Sequence, residues 1–510
     1  MRRSLKKMMA VGLTAAMTVG SISFQGLSVN AAGLPTTDGH NKYVNSEVFN
    51  VISDDSFGTK ELENPLFDKT TGSSDISNLQ VPTLAYDDTS IALVWDKPEK
   101  YDNVADYNVY VNGTLDGTAR KNYEENAKWA DTYMKSFYEY YETNSDVDMV
   151  NVDIHSYRAT GLTPDTEYTF KVVAVDKDGK ELGTAKEISQ KTTVKPEEFN
   201  ILDYGAVATE GYTSYNDEVN ALVEKNTKAI QAAIDACTPG GKVVIPQAED
   251  GKVFVSGALW LKSDITVELD GTLWASPNSD HFEIGFLMYP FYTDTRGWGL
   301  LNATSADENA PLENIRITGN GTLYGNGWKY GAGDKMYEDG YTSNTGVNTQ
   351  AGDPSDTENY GLPRYMGGSN TKVYYYGIQA ADSAKKYLAN LTNEDGSRKY
   401  SDELIDSLSG YIEKDLADNG KVDKNGKDKF IDVETGNNAG IEKADITNAY
   451  ATRSSLLIMR NVSNVYVGDI TVENPANHSV NILDSRNIST ENVKVFSYDG
   501  NNGDGLGFGC

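Results

Sequence analysis

The chain has 510 residues, too long for one ordinary globular core, so two or more domains are expected. Its 75 acidic against 45 basic side chains give a formal charge of -30, which argues against nucleic acid, because a phosphate-binding face would work against the whole-chain field. Two cysteines exclude a disulfide scaffold and a four-thiolate zinc site, and 39% hydrophobic residues leave no room for a multi-span membrane protein.

Arg2, Arg3, Lys6 and Lys7 precede an apolar segment over 8–27, which ends in small residues at Ala31 and Ala32. That order of charge, apolar stretch and Ala-x-Ala-like site is a secretory signal peptide over 1–31. It predicts a secreted, extracellular protein with no membrane span after cleavage. Residues 32–78, rich in Thr, Asp, Asn, Ser and Gly without sustained periodicity, are expected to be a linker.

From 79 to 194 the pattern becomes short alternating strands. Ile91, Leu93 and Trp95 alternate with polar or small residues, as do Tyr107, Val109 and Val111 before Asn112-Gly113. Tyr168, Phe170, Val172 and Ala174 repeat the pattern before Asp178-Gly179. Period-two runs bounded by turn dipeptides describe a β-sandwich. With Trp95 at a core position and Gly161-Leu162-Thr163-Pro164-Asp165-Thr166-Glu167-Tyr168 matching a tyrosine corner, the segment resembles a fibronectin type III domain. An insertion over 119–150 carries Trp129, Tyr133, Phe137 and Tyr141 every fourth residue, a helical stripe that either packs on the sandwich or stacks against a carbohydrate.

Residues 195–510 read as a second unit. Ala229, Ile230, Ala233, Ile234 and Cys237 predict an amphipathic helix, capped by Thr227 and stopped by Pro239-Gly240-Gly241, which could cover the open end of a stacked sheet. Short strands follow in an internal repeat. Asp264-Ile265-Thr266-Val267 with Gly271-Thr272-Leu273 returns 50 positions later as Asn314-Ile315-Arg316-Ile317 with Gly321-Thr322-Leu323. Asn464-Val465-Tyr466-Val467 returns 23 positions on as Asn487-Ile488-Ser489-Thr490. A step near 23 to 25 residues suits a parallel β-helix with asparagines stacked at its corners. The expected fold class is all-β: a fibronectin type III-like β-sandwich followed by a partial parallel β-helix, which the resemblance given below makes right-handed and pectin lyase-like. Between 329 and 450 the repeat is lost. That excursion, with a helix expected over 403–416, should lie on the binding face. Its Asp423-Lys424-Asn425-Gly426-Lys427-Asp428 stretch lacks the carboxylates of a calcium loop and reads as a solvated turn.

Four histidines and two separated cysteines give a Cys-His nucleophile or zinc centre little to work with, and no serine-hydrolase elbow or phosphate loop stands in a supporting context. Carboxylate chemistry remains. Asn474-Pro475-Ala476-Asn477-His478 and, one coil on, Asp499-Gly500-Asn501-Asn502-Gly503-Asp504-Gly505-Leu506-Gly507 resemble glycoside hydrolase family twenty-eight, the polygalacturonases, in particular bacterial exo-acting members with an N-terminal fibronectin domain. The resemblance covers about 199–510. It implies that Asp504 is the first of three catalytic aspartates and Asn502 its motif asparagine. It also implies inverting hydrolysis of α-1,4-galacturonosyl linkages in polygalacturonate or pectic oligosaccharides, without a metal or cofactor. His478 either faces the substrate or is a structural corner residue, and Arg453, Arg460 and Arg486 either attract a polyanion locally or are solvated surface. The family's adjacent aspartate pair and its Gly-His-Gly and Arg-x-Lys segments would follow Cys510, so the chain is expected to be C-terminally truncated and to hydrolyse little by itself. Gly507 stands where related exo-enzymes carry an acidic residue. A pectate lyase and a non-catalytic pectin-binding protein are the rival readings.

Overall fold

The computed structural model describes residues 72–128, 155–287, 295–307, 309–328, 378–406, 440–497 and 503–509. The signal segment, the 129–141 stripe, the 423–428 turn and Asn502 lie outside them, as does most of the expected 403–416 helix, of which 403–406 are helical.

The first unit has strands β1 (Ile91–Val94), β2 (Asp106–Val111) and β3 (Thr114–Thr118), helix α1 (Ala119–Ala127), and strands β4 (Ser156–Ala159), β5 (Glu167–Val175) and β6 (Glu181–Lys191). A two-stranded sheet β1-β4 faces a four-stranded sheet β3-β2-β5-β6, with antiparallel pairing throughout. Trp95 is buried against Tyr107, ring centroids 5.2 Å apart, beside Leu93, Val109, Phe170 and Val172. The Tyr168 hydroxyl accepts the Thr163 N–H at 2.9 Å, closing the tyrosine corner. Ordered packing starts ahead of residue 79: Ile76 is buried in this core and its N–H donates to Thr184 O at 3.0 Å. Ile76 and Leu79 are too few apolar residues to show a period, so the sequence reads as linker there.

Strand β7 (Glu198–Asn200) and helix α2 (Asp217–Ala236) lead into a solenoid of five coils, each giving one strand to each of three parallel sheets. The first coil is β8 (Gly241–Ile245), β9 (Phe254–Ser256) and β10 (Leu259–Trp260). The second is β11 (Ile265–Leu269), β12 (Thr272–Ala275) and, after an antiparallel hairpin of β13 (Ile284–Leu287) and β14 (Thr295–Gly297), β15 (Leu301–Thr304). The third is β16 (Leu312–Gly319), β17 (Thr322–Tyr324) and, past an excursion holding α3 (Gln379–Asn390) and α4 (Lys443–Ala451), β18 (Leu457–Arg460). The fourth is β19 (Val462–Gly468), β20 (Thr471–Glu473) and β21 (Val480–Leu483); the fifth is β22 (Arg486–Glu491), β23 (Lys494–Phe496) and β24 (Leu506–Gly509).

The registers are those of the sequence repeats: Ile265 pairs with Ile315, Val267 with Ile317, Val465 with Ile488. Inward residues of successive coils, such as Leu259, Leu301, Leu457 and Val480, stack into one core. At one corner Asp264, Asn314, Asn464 and Asn487 all take left-handed backbone angles, φ 62°, 58°, 58° and 56°. Their side chains form a ladder, each amide donating to the previous coil at 2.7, 2.8 and 3.0 Å. The result is a right-handed parallel β-helix behind a fibronectin-like sandwich.

Helix α2 does not start at Thr227. Asn216 caps it, accepting the Val219 N–H at 2.9 Å, and Asp217 and Glu218 favour the positive end of the dipole. Thr227 lies mid-helix, where its hydroxyl donates to Val223 O and accepts the Gly257 N–H, both at 2.8 Å. The hairpin of the second coil and the excursion of the third both leave at the turn between the second and third strands. In the fourth and fifth coils that same turn is 474–479 and 497–505.

Candidate active site

The fourth-coil turn is tightly held. Asn474, at φ 50°, accepts the Trp328 N–H at 2.9 Å and donates to Trp328 O, while the indole N–H of Trp328 reaches Pro475 O at 2.9 Å. A Cβ at Gly327 would stand 2.5 Å from Ala476 Cα, so only glycine lets the third-coil backbone pass. This bend places His478 just ahead of β21. The Ser479 N–H donates to Asp504 O at 2.8 Å and the Val480 N–H to Gly505 O at 3.0 Å. Those two bonds zip the fourth and fifth coils together and set Asp504 beside His478, with Nδ1 3.9 Å from Oδ2. The His478 side chain is 11% exposed and that of Asp504 63%.

Burial pushes the His478 pKa down to about 4, against the pull of Asp504, and Arg296 and Arg453 push the same way as burial. Near neutral pH a neutral imidazole therefore stands next to the carboxylate. Asp504 points outward with His478 at its side; Asn502 lies outside the described residues.

Arg453 corrects the surface reading. It is 2% exposed, with Nη1 donating to Ala476 O at 3.3 Å. The run Thr452, Arg453, Ser454, Ser455 is buried because α3 folds over it, with the Gln379 amide on Ser454 Oγ. Arg460 is half-buried, donating to Leu287 O at 2.6 Å and pairing with Asp484 at 3.2 Å. Arg486 is also half-buried.

On the outer face of the third sheet Ile458, Asn481 and Gly507 stand in register. Phe286 and Trp298, from the hairpin and its exit, pack on Ile458 and Leu483. A Cβ at Gly507 would lie 2.9 Å from Asn481 Oδ1 and 3.8 Å from His478 Nδ1. The glycine thus keeps a gap over the histidine that a side chain would fill. Asn477, Ser479 and Asn481 are buried at 1%, 0% and 0%, a polar row that sequence reasoning missed. Its only signal was polar residues at positions where a buried strand wants apolar ones.

A cleft of about 410 Å³ is lined by Ser279, Phe282, Gln379, Lys386, Tyr387 and Thr452, with neither His478 nor Asp504 in its wall. Another, about 450 Å³, runs along α2 beside Glu224, Lys225 and Lys228, but holds no histidine–carboxylate pair. Among the described residues no group of three or more His, Cys, Asp or Glu could hold a metal ion, and no helix is long and apolar enough to cross a membrane.

Comparison with known proteins fits this geometry. Residues 74–191 match the fibronectin type III domain. The exo-poly-alpha-D-galacturonosidase of Dickeya chrysanthemi is 32% identical over 435 residues, covering 84% of this chain and 57% of that protein. The family 28 exopolygalacturonase of Yersinia enterocolitica superposes with a TM-score of 0.58 at 32% identity, over 85% of this chain and 62% of that one. The chain thus spans less than two thirds of the length of either relative. Over that span it is related, in sequence and in fold, to the family 28 exopolygalacturonases, with a fibronectin type III domain ahead of its solenoid.

Proposed function

We propose that the protein is a secreted polygalacturonase that hydrolyses α-1,4-galacturonosyl linkages of polygalacturonate with inversion, from a chain end. The observation that carries this reading is the backbone zip between the fourth and fifth coils, which sets an exposed carboxylate beside a buried neutral histidine at the turn where both long insertions enter. Inverting hydrolysis needs one carboxyl to orient and deprotonate water and a second, roughly 6.5–9.5 Å away, to protonate the leaving oxygen. Asp504 takes the first role. The second carboxyl is assigned to none of the described residues. His478, uncharged, offers a hydrogen bond to a sugar hydroxyl without adding charge, and Asn502 is the motif partner of Asp504. The hairpin and α3, standing at one corner, favour attack from a chain terminus. The residues 1–31 support export.

The test is incubation with polygalacturonate. New reducing ends without ultraviolet-absorbing unsaturation support hydrolysis, and monogalacturonate as the first product supports exo attack. Unsaturated products would establish a lyase instead, and binding without either would leave a pectin-binding protein. Replacing Asp504 by Asn should lower whatever turnover the chain shows, by roughly 10²–10⁴-fold with the fold intact, because a positioned proton acceptor is lost from an exposed side chain. Full activity in that variant overturns the assignment.

A further inference from the structure

The sandwich meets the solenoid through its two-stranded sheet. In β1 and β4 the residues Ile91, Leu93, Tyr157 and Ala159 fill the sandwich core, while Ala92 and Arg158 pair in register on the opposite face. Ala92 is nonetheless buried, clustered with Ala85 and Leu84 against Tyr466 of β19. Arg158 grips both carboxylate oxygens of Glu491 on β22, with Nε to Oε1 at 3.1 Å, and also bonds Ser90 Oγ and the Tyr466 hydroxyl. In the reverse direction Arg316 of β16 donates to Tyr86 O and reaches the Asp87 carboxylate at 3.4 Å. Tyr466 lies between the two guanidiniums, 5.6 and 5.0 Å from its ring centroid, and its hydroxyl meets Glu491 Oε2 at 3.2 Å. Gly468 below must stay bare, since a Cβ there would collide with the Tyr466 hydroxyl. Helix α1 holds the arginine strand from behind: Asn122 accepts the Arg158 N–H at 3.1 Å and donates to its carbonyl at 3.3 Å.

These contacts reach the third coil (Arg316), the fourth (Tyr466) and the fifth (Glu491). They therefore span both sides of the excursion between β17 and β18. Solenoid coils ordinarily touch only their neighbours, so their stability is a sum of nearest-neighbour interfaces. A domain bonded to three successive coils adds a coupling that stacking alone lacks. The burial of two arginines is sustained only while their partners remain, because removing one partner strands a desolvated charge.

We propose that the fibronectin-like sandwich is a brace that locks the third, fourth and fifth coils in register and so holds the coil that carries Asp504. It is not a freely tethered module: the face bearing Ala92 and Arg158 is committed to the solenoid. This stands apart from the hydrolysis reading, because its readout is backbone order. The experiment is amide hydrogen exchange on the full chain carrying Arg158→Met. Exchange over β22 and β23 should accelerate about tenfold or more while β5 and β6 stay protected, since local opening tracks the lost tertiary contact. Unchanged exchange in the fifth coil, with the sandwich still protected, overturns the proposal. If Arg158→Met also unfolds the sandwich, Glu491→Gln decides from the solenoid side: faster exchange in β4 sustains the brace, and unchanged exchange there overturns it.

Discussion

His478 and Asp504 differ most in how they meet water, and that difference sets their chemistry. Burial lowers the histidine's pKa from 6.5 to about 4, while the carboxylate 3.9 Å away works against that drop. Two consequences are measurable. In a nuclear magnetic resonance titration the His478 ring should protonate near pH 4, and Asp504→Asn should move that midpoint lower, since the carboxylate is what favours the proton. An upward move would mean that Asp504 does not act on the ring. The linkage has a definite sign. Above pH 6.5 the ring is neutral folded or unfolded and the pH dependence is nil. Between 6.5 and about 4 only the unfolded chain takes up the proton, so stability falls as pH falls through that window. Below it both states are protonated and the loss levels off. His478→Gln should remove this component, seen as a flatter melting-temperature profile between those pH values.

At the scale of elements, the corner ladder does what a single strand pair cannot. Asn464 donates to Asn314 and accepts from Asn487 while holding φ at 58°. Asn464→Ala deletes both bonds and puts a Cβ-bearing residue without a compensating side-chain bond in the left-handed region, so about 1–3 kcal/mol should be lost in urea unfolding. No loss would show that the ladder is decorative. The same ladder explains why the solenoid was legible: inward apolar residues and corner asparagines repeat together, so offsets of 50 and 23 could be read directly as strand registers. Helix α2 was legible on its apolar face and not at its start, because Asn216 is followed by acidic residues and the first apolar position is Val219. Helix α3 buries mainly alanines, glutamine and serine, a face with little periodic contrast. The assignment of Asp504 rests on its Asn-x-Asp-Gly setting. Arg453 and the polar row Asn477, Ser479 and Asn481 were not legible, because residue type argues for the surface whereas the fold buries them.

Across the whole molecule, a formal charge of -30 opposes the proposed ligand, itself a polyanion. Arg296 and Arg453 press on His478 at close range, but Arg453 is buried and the net charge of the chain is strongly negative. Charges farther apart than a Debye length, about 10 Å at 0.1 M salt, are screened, whereas buried or partly buried contacts are screened much less. Added salt should therefore weaken the long-range repulsion more than the short-range attraction. Affinity for polygalacturonate is expected to hold or rise between about 0.02 and 0.2 M sodium chloride, the reverse of a basic polyanion binder, whose affinity falls steeply as counterions are displaced. Calorimetric titration at several salt concentrations checks the sign. A steep fall would mean that a cationic surface captures the polymer, and would move recognition away from the turn carrying His478 and Asp504.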